Sequence, residues 1–346
     1  MAYTTIDDPT LYFNTKLYSG DGASTQAITG VNFRPDFVWI KSRNHTENHM
    51  LSDAVRGSTK RLRSDTTNAE DDLGSNGIQS FNTDGFTAGD GDAMNASGQT
   101  YASWNWLASN TTASNTDGSI TSTVSANTTS GFSIVSYTGT GSASTIGHGL
   151  NSTPSTIILK NRDDGSVFWY VFHKSLGNNS ELYLNGTDSA PGSTGAWNTT
   201  SPTSSVFSVG SHGGTNASGQ GIIAYCFAEK KGFSKFGSYT GNGNADGTFV
   251  FTGQKSAFII IKNTSTSGTN WVMFDNKRIG YNESNYYLRP SGNNTESTNI
   301  PLDILSNGFK IRTSAGDVNT SGNTYIYMCF AESPFTTSTG IPTTAR

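Results

Sequence analysis

Three times along the chain one spaced set of landmarks recurs, which restricts the protein to an architecture built from copies of a single unit. Each set opens with Tyr-[Ser/Thr]-Gly-x-Gly, at Tyr18, Tyr137 and Tyr239. An apolar run closed by lysine follows: Phe37 to Lys41, Ile157 to Lys160 and Phe258 to Lys262. The tyrosine-to-lysine interval is 23 residues in every copy. Each set then carries Asn-x-Ser-Gly, at Asn95, Asn216 and Asn319, and ends in a second apolar run: Tyr101 to Ala108, Ile222 to Ala228 and Tyr325 to Ala331.

Each landmark has a physical reading. Gly-x-Gly after tyrosine ends a strand, because glycine reaches positive φ freely. The lysine-closed runs are rich in β-branched and aromatic residues, and read as strands buried on both faces. Asn-x-Ser-Gly reads as a turn whose side chains bond the local backbone. No segment keeps a 3.6-residue apolar period, and Asp53 to Arg63 is the best, short, helical candidate. Many short strands with frequent turns predict an all-β chain of three tandem β-sandwich modules of jelly-roll or lectin-like type. The expected division is an arm at 1–11, modules at 12–108, 131–232 and 233–335, and a tail at 336–346. Residues 109–130, nearly all Ser, Thr, Asn, Ala and Gly, read as a linker or a loosely attached strand. The second and third modules, with no spacer, are expected to pack as a rigid pair.

Composition limits the function classes. Charged residues are 14% of the 346, below the roughly 25% usual in globular domains. Aromatics reach 11%, enough apolar surface for folded cores. With a net charge of −4 and no basic stripe, a nucleic-acid partner is not expected. No run approaches the length of a membrane helix, and Met1 to Pro9, with Asp7 and Asp8, does not read as a secretory signal.

The catalytic and metal signals are weak. Cys226 and Cys329 hold the same place in successive copies and read as buried thiols. The five histidines show no metal-ligand spacing, and neither a nucleophile elbow nor a dinucleotide fingerprint is present. Asp84, Asp90 and Asp92 lack calcium-loop spacing, and Glu229 and Glu332 sit at strand ends beside Lys230 and Ser333. No catalytic residue, cofactor or metal is assigned. Trp197 and Tyr281 lie in polar loops and are the candidate ligand-binding residues, because a flat ring packs on the apolar side of a sugar.

Met1 to Pro9, the Tyr-Thr-Gly-x-Gly turns, Gly131 to Tyr137, Ile146 to Leu150 and Ala224 to Lys230 together resemble virion-associated proteins of marine and cyanobacterial tailed phages. Such modules are described as tail-fibre-like or concanavalin-like. The resemblance implies a virion location, other virion proteins as partners and a structural or host-recognition role. It carries no catalytic residues. Two expectations follow. One is a fibre or spike component that forms a homo-oligomer, favoured as a trimer, and binds host-surface polysaccharide. The other is a decoration or connector protein of capsid, tail or baseplate, anchored through its first residues. A polysaccharide depolymerase would need an acidic pair that the sequence does not display.

Overall fold

In the computed structural model, which describes residues 2–190, 192 and 195–344, each lysine-closed run is a strand buried along its whole length: Phe37–Ser42, Thr156–Asn161 and Gln254–Asn263. A strand points alternate side chains to opposite faces. Burial of both faces therefore requires two cores.

The strands around them recur in one order. The first strand of a copy pairs antiparallel with the last, the last with the lysine strand, and the lysine strand with the one after it. In chain order these are Phe13–Ser19, Phe37–Ser42, Met50–Asp53 and Thr100–Trp106 in copy one, and Phe132–Thr138, Thr156–Asn161, Tyr170–His173 and Gly221–Phe227 in copy two. Copy three uses Ser234–Thr240, Gln254–Asn263, Val272–Asp275 and Thr324–Pro334. The register matches too, with Lys41 opposite Ala102, Lys160 opposite Ile223 and Lys262 opposite Ile326.

A smaller antiparallel sheet covers one face in each copy. It pairs Thr25–Thr29 with Gly85–Gly89, Ser144–Gly147 with Val206–Val209, and Phe249–Phe251 with Gly308–Ile311. The phenylalanines Phe86, Phe207 and Phe309 meet the opening tyrosines Tyr18, Tyr137 and Tyr239 edge-on, with centroids 6.2 Å apart each time. Each copy is thus a small all-β sandwich.

The Gly-x-Gly turn and the distant asparagine form one device. Asn95, Asn216 and Asn319 end four-residue helices and are fully buried. Their carboxamide oxygens accept the N–H groups of Asp21, Thr140 and Asn242, the middle residues of the turns. The glycines before those residues touch backbone: a Cβ on Gly20, Gly139 or Gly241 would lie 2.2–2.3 Å from the carbonyl oxygen of Ala96, Ala217 or Thr320. The tyrosine hydroxyl closes the unit, donating to the carbonyl of Met94, Thr215 or Val318.

The repeated lysine clamps the loop that follows its own strand. Lys41 Nζ donates to the carbonyls of Ser42 (2.6 Å) and His45 (3.1 Å). Lys160 donates to those of Asp164 and Val167, both at 3.0 Å, and Lys262 to that of Thr269 at 2.8 Å. Burial pushes all three ammonium groups down to about 8.

The second face of the large sheets meets neither solvent nor a layer of its own copy. It meets the other two copies. Phe37, Trp39, Trp104 and Trp106 share one apolar core with Phe132, Ile134, Ile158, Tyr225 and Phe227, and with Phe258, Ile260, Met328 and Phe330. Trp106, Phe227 and Phe330 hold equivalent places and lie 5.7–6.3 Å from one another, marking a pseudo-threefold axis. The copies therefore form one body around a common core, rather than one free module beside a rigid pair.

Polar ties run around that axis. Asp53, in copy one, pairs with Arg56 at 2.5 Å and accepts from Tyr225 of copy two. Asp275, in copy three, pairs with Arg278 at 2.6 Å and accepts from Trp104 of copy one. Glu70 extends the first tie to Arg162, and Glu296 the second to Arg43. At the third boundary every member is replaced. His173 and Leu176 stand for the Asp and Arg, Met328 for the Tyr or Trp, Thr264 for the Arg and Ala190 for the Glu. Ala190 N–H still bonds Thr264 O, as Glu70 N–H bonds Arg162 O and Glu296 N–H bonds Arg43 O. The backbone geometry survives the loss of the charges.

Three expected segments differ. Asp53 to Arg63 is not helical: it turns from the strand Met50–Asp53 into Gly57–Leu62, and the Asp53–Arg56 pair forms inside that turn. Residues 109–130 contribute Ala113–Asn115 and Ser122–Asn127, which extend the large sheet of copy two. The arm packs back onto the body, with Ile6 in the common core and Thr4 Oγ1 donating to Lys231 O. The tail meets the arm, where Ser338 N–H donates to Asp7 at 2.6 Å. Ala345 and Arg346 lie outside the described residues.

Candidate functional site

Because the copies superpose strand for strand, a residue that departs from its two counterparts stands out. On the small sheets Ile28, Ile146 and Val250 point inward against the phenylalanine of the partner strand. Their neighbours point outward. These are Ala27 and Thr29 in copy one, Thr145 in copy two, where Gly147 is buried beneath Asn115, and Phe249 and Phe251 in copy three. Phe249 is 45% exposed and Phe251 59%, where the other copies carry small residues. Exposed aromatics grouped on one strand face need an explanation that scattered ones do not.

The same face carries fixed charges. Phe249 lies opposite Lys310, and Lys310 opposite Asp303, so the three form a row across the sheet. Lys310 Nζ reaches Asp246 at 2.5 Å, and that bond holds the Asp246 carboxyl below the usual carboxylate range. Arg312 lies 3.5 Å from both Asp246 and Asp303, and 3.9 Å from Glu283. Exposed pairs of this kind add little stability. Their effect is to hold donors and acceptors in set directions beside the rings.

Tyr281 lies on a loop at the far edge of this sheet. The loop that carries it is fastened to the strand Leu302–Leu305 by two reciprocal pairs of bonds. Asn282 Nδ2 donates to Ile304 O and Ile304 N–H to Asn282 Oδ1, while Ser284 and Leu302 exchange backbone bonds. Tyr281, next along the loop, is 70% exposed. Beyond Phe251 the surface falls into a cleft of about 350 Å³, lined by Tyr3, Glu229, Lys231 and Lys235. Tyr3 donates to Gly253 O at 2.6 Å, and Lys231 Nζ lies 4.3 Å above its ring.

Trp197 is elsewhere and is a correction. It is 2% exposed and packs edge-on against Phe172 in the core of copy two, with centroids 5.8 Å apart. Left-handed backbone at Gly195 and Asn198 turns the loop inward, so no ring face reaches a ligand. The other weighed residues have local partners. Cys226 and Cys329 are free buried thiols. Asp84 accepts the N–H groups of Gly30 and Asn32, and Glu229 pairs with Lys174 and Lys235. Among the described residues no group of three or more His, Cys, Asp or Glu is placed to hold a metal ion. No helix among them is long and apolar enough to cross a membrane.

Phe249 and Phe251 went unnoticed in the sequence because Phe-Val-Phe reads as ordinary strand. Setting the three copies against one another would have exposed them.

The sequence matches the family described as a domain of unknown function, DUF7483, over residues 8–334. The chain belongs to this family. The matched span runs through all three copies, so the family is defined by the whole pseudo-threefold body rather than by one module. No curated protein and no solved structure matches the chain.

Proposed function

We propose that the chain is a structural component of a virus particle, and that the outer face of its third copy contacts host-surface glycan. One observation carries the glycan reading: Phe249 and Phe251 are exposed where copy one places Ala27 and Thr29 and copy two places Thr145 and a glycine, Gly147, buried beneath Asn115. Rings beside oriented carboxylates and a guanidinium suit a pyranose, whose apolar side stacks while its hydroxyls bond the charges. The resemblance to tail-fibre-like phage proteins supports the virion location. The test is binding of the purified chain to envelope polysaccharide from host and non-host cells. Selective binding that disappears in a Phe249→Ala, Phe251→Ala, Tyr281→Ala variant supports the reading, and equal binding to both sources defeats it.

A second reading is a decoration or connector protein. The pseudo-threefold body favours it, since one chain of that shape matches a threefold position in a larger assembly. Imaging of labelled chain on particles separates the two: a connector lies buried among other virion proteins, and a receptor-binding part projects.

A further inference from the structure

Strand edges present unpaired backbone groups, which a folded chain normally covers or guards. In copy two the edge of Phe132–Thr138 is covered. Ile134 and Ser136 lie opposite Ser125 and Thr123 of the added strand Ser122–Asn127. Thr15 and Leu17 are their equivalents in copy one. The bonds Leu107 N–H to Tyr12 O and Gly20 N–H to Gln99 O place the even-numbered residues toward the last strand. Thr15 and Leu17 therefore turn their N–H and C=O groups outward, and among the described residues no strand receives them. In the third copy the same edge is partly closed, by Glu229 accepting from Phe236 N–H and Thr248 donating to Thr240 O.

Thr15 is buried and Leu17 half-buried, and the edge they form is bordered by an open cleft. The cleft, of about 280 Å³, is lined by Asn14, Thr15, Lys16, Leu17, Gly30 and Lys277. An equivalent glycine marks what fits there. A Cβ on Gly149 would lie 3.1 Å from Ala126 of the added strand, whereas one on Gly30 would meet only the end of the Lys16 side chain. Neither Lys16 nor Lys277 has a carboxylate within ion-pair distance among the described residues, and Lys16 acts on Asp84 only through its longer-range field. A lysine on an edge strand discourages indiscriminate pairing, and two unpaired lysines beside one edge favour an acidic occupant.

We propose that the edge of Phe13–Ser19 accepts an extended acidic segment of a partner protein, which pairs with it as an added strand in the way Ser122–Asn127 pairs in copy two. The occupant bonds Thr15 and Leu17 through its backbone and meets Lys16 and Lys277 through its carboxylates.

The test titrates the full chain with a labelled peptide copying Ser122–Asn127, with a glutamate added at each end. Binding is read by anisotropy, and protection of the Thr15 and Leu17 amides by hydrogen exchange. Leu17→Pro removes the outward N–H and leaves the ladder to Thr100–Trp106 intact, and Leu17→Ala, which keeps the N–H, controls for the packing its side chain loses on the common core. Leu17→Pro is expected to weaken binding about tenfold or more, and Lys277→Glu on its surface turn about tenfold. Absence of binding, or binding unchanged in Leu17→Pro, overturns the proposal. So does a concentration-dependent dimer of the chain that Leu17→Pro abolishes, since that assigns the edge to a second copy.

Discussion

Tyr225 donates its hydroxyl to Asp53 at 2.8 Å across the boundary between the first two copies, and neither residue is exposed to solvent beyond a trace. Trp104 and Asp275 repeat the relationship at 3.1 Å between the first and third. The remaining boundary keeps the backbone bonds and drops every charged member together, with His173, Leu176 and Met328 in their places. The chain thus contains two solutions to one packing problem, one polar and one largely apolar.

The first prediction uses that contrast. Asp53→Ala takes the closer of two carboxylates from the buried Arg56 guanidinium, leaving Glu70 at 3.0 Å, and is expected to cost about 3 kcal/mol. The combined change Asp53→His, Arg56→Leu, Tyr225→Met copies three of the five replacements at the third boundary, leaves Glu70 paired with Arg162, and is expected to recover most of the loss. Urea unfolding of the single and combined variants measures both.

His173 supplies a pH dependence. Its Nδ1 accepts from Ser175 N–H, and its Nε2 donates to Tyr327 O at 3.2 Å, an arrangement that needs the neutral ring. Burial pushes the imidazole down to about 4 from an ordinary 6.5. The unfolded chain takes up a proton below about 6.5 that the folded chain refuses until about 4. The contribution is complete above pH 6.5 and lost as pH falls toward 4, amounting to about 2–3 kcal/mol. Unfolding curves between pH 7 and 4.5 are expected to show this slope, and His173→Gln to reduce it, with contributions remaining from His49 and His148, which burial also pushes down.

The Gly-x-Gly turn predicts unequal costs for the same substitution. Gly139→Ala would place a methyl group 2.2 Å from the Ala217 carbonyl oxygen and is expected to destabilise by about 3 kcal/mol. Gly98→Ala has open space around it and suffers only from its φ of +75°, at about 1–2 kcal/mol. Thermal melts of the two variants test the ranking.

The aromatic residues separate binding from stability. Phe249→Ala and Tyr281→Ala are expected to leave the melting temperature within a degree or two and to weaken polysaccharide binding, by about 1–2 kcal/mol for each lost stacking contact. Trp197→Ala is expected to cost about 3–5 kcal/mol of stability through the cavity it leaves. Calorimetry beside a binding assay distinguishes the two outcomes.

Much of the architecture was legible because its landmarks are local. A tyrosine, two glycines and a run ending in lysine each constrain a few neighbouring residues, and a fixed interval between them shows that a unit was copied. The common core was not legible. The runs Phe37 to Lys41 and Phe258 to Lys262 announce burial on two faces, but no local pattern says that the second layer is another copy. The stretch Asp53 to Arg63 was not legible for a related reason: Asp53 and Arg56 close a turn between two paired strands, and no local pattern announces that pairing. Trp197 was read from its polar neighbours, while its place is set by the left-handed backbone at Gly195 and Asn198. Tyr281 was read in the same way and is exposed, whereas the exposed Phe249 and Phe251 emerge only when the three copies are laid side by side.

The ring of Trp106, Phe227 and Phe330 has one further consequence. An assembly of three separate chains would display every surface feature in triplicate, and any ligand would be gripped three times over. Linking the copies in one polypeptide frees each to diverge on its outside while the inside stays matched. The rings of the third copy are accordingly present once per molecule, so under the proposed glycan reading strong attachment has to come from many molecules arrayed together rather than from repeated grips within one.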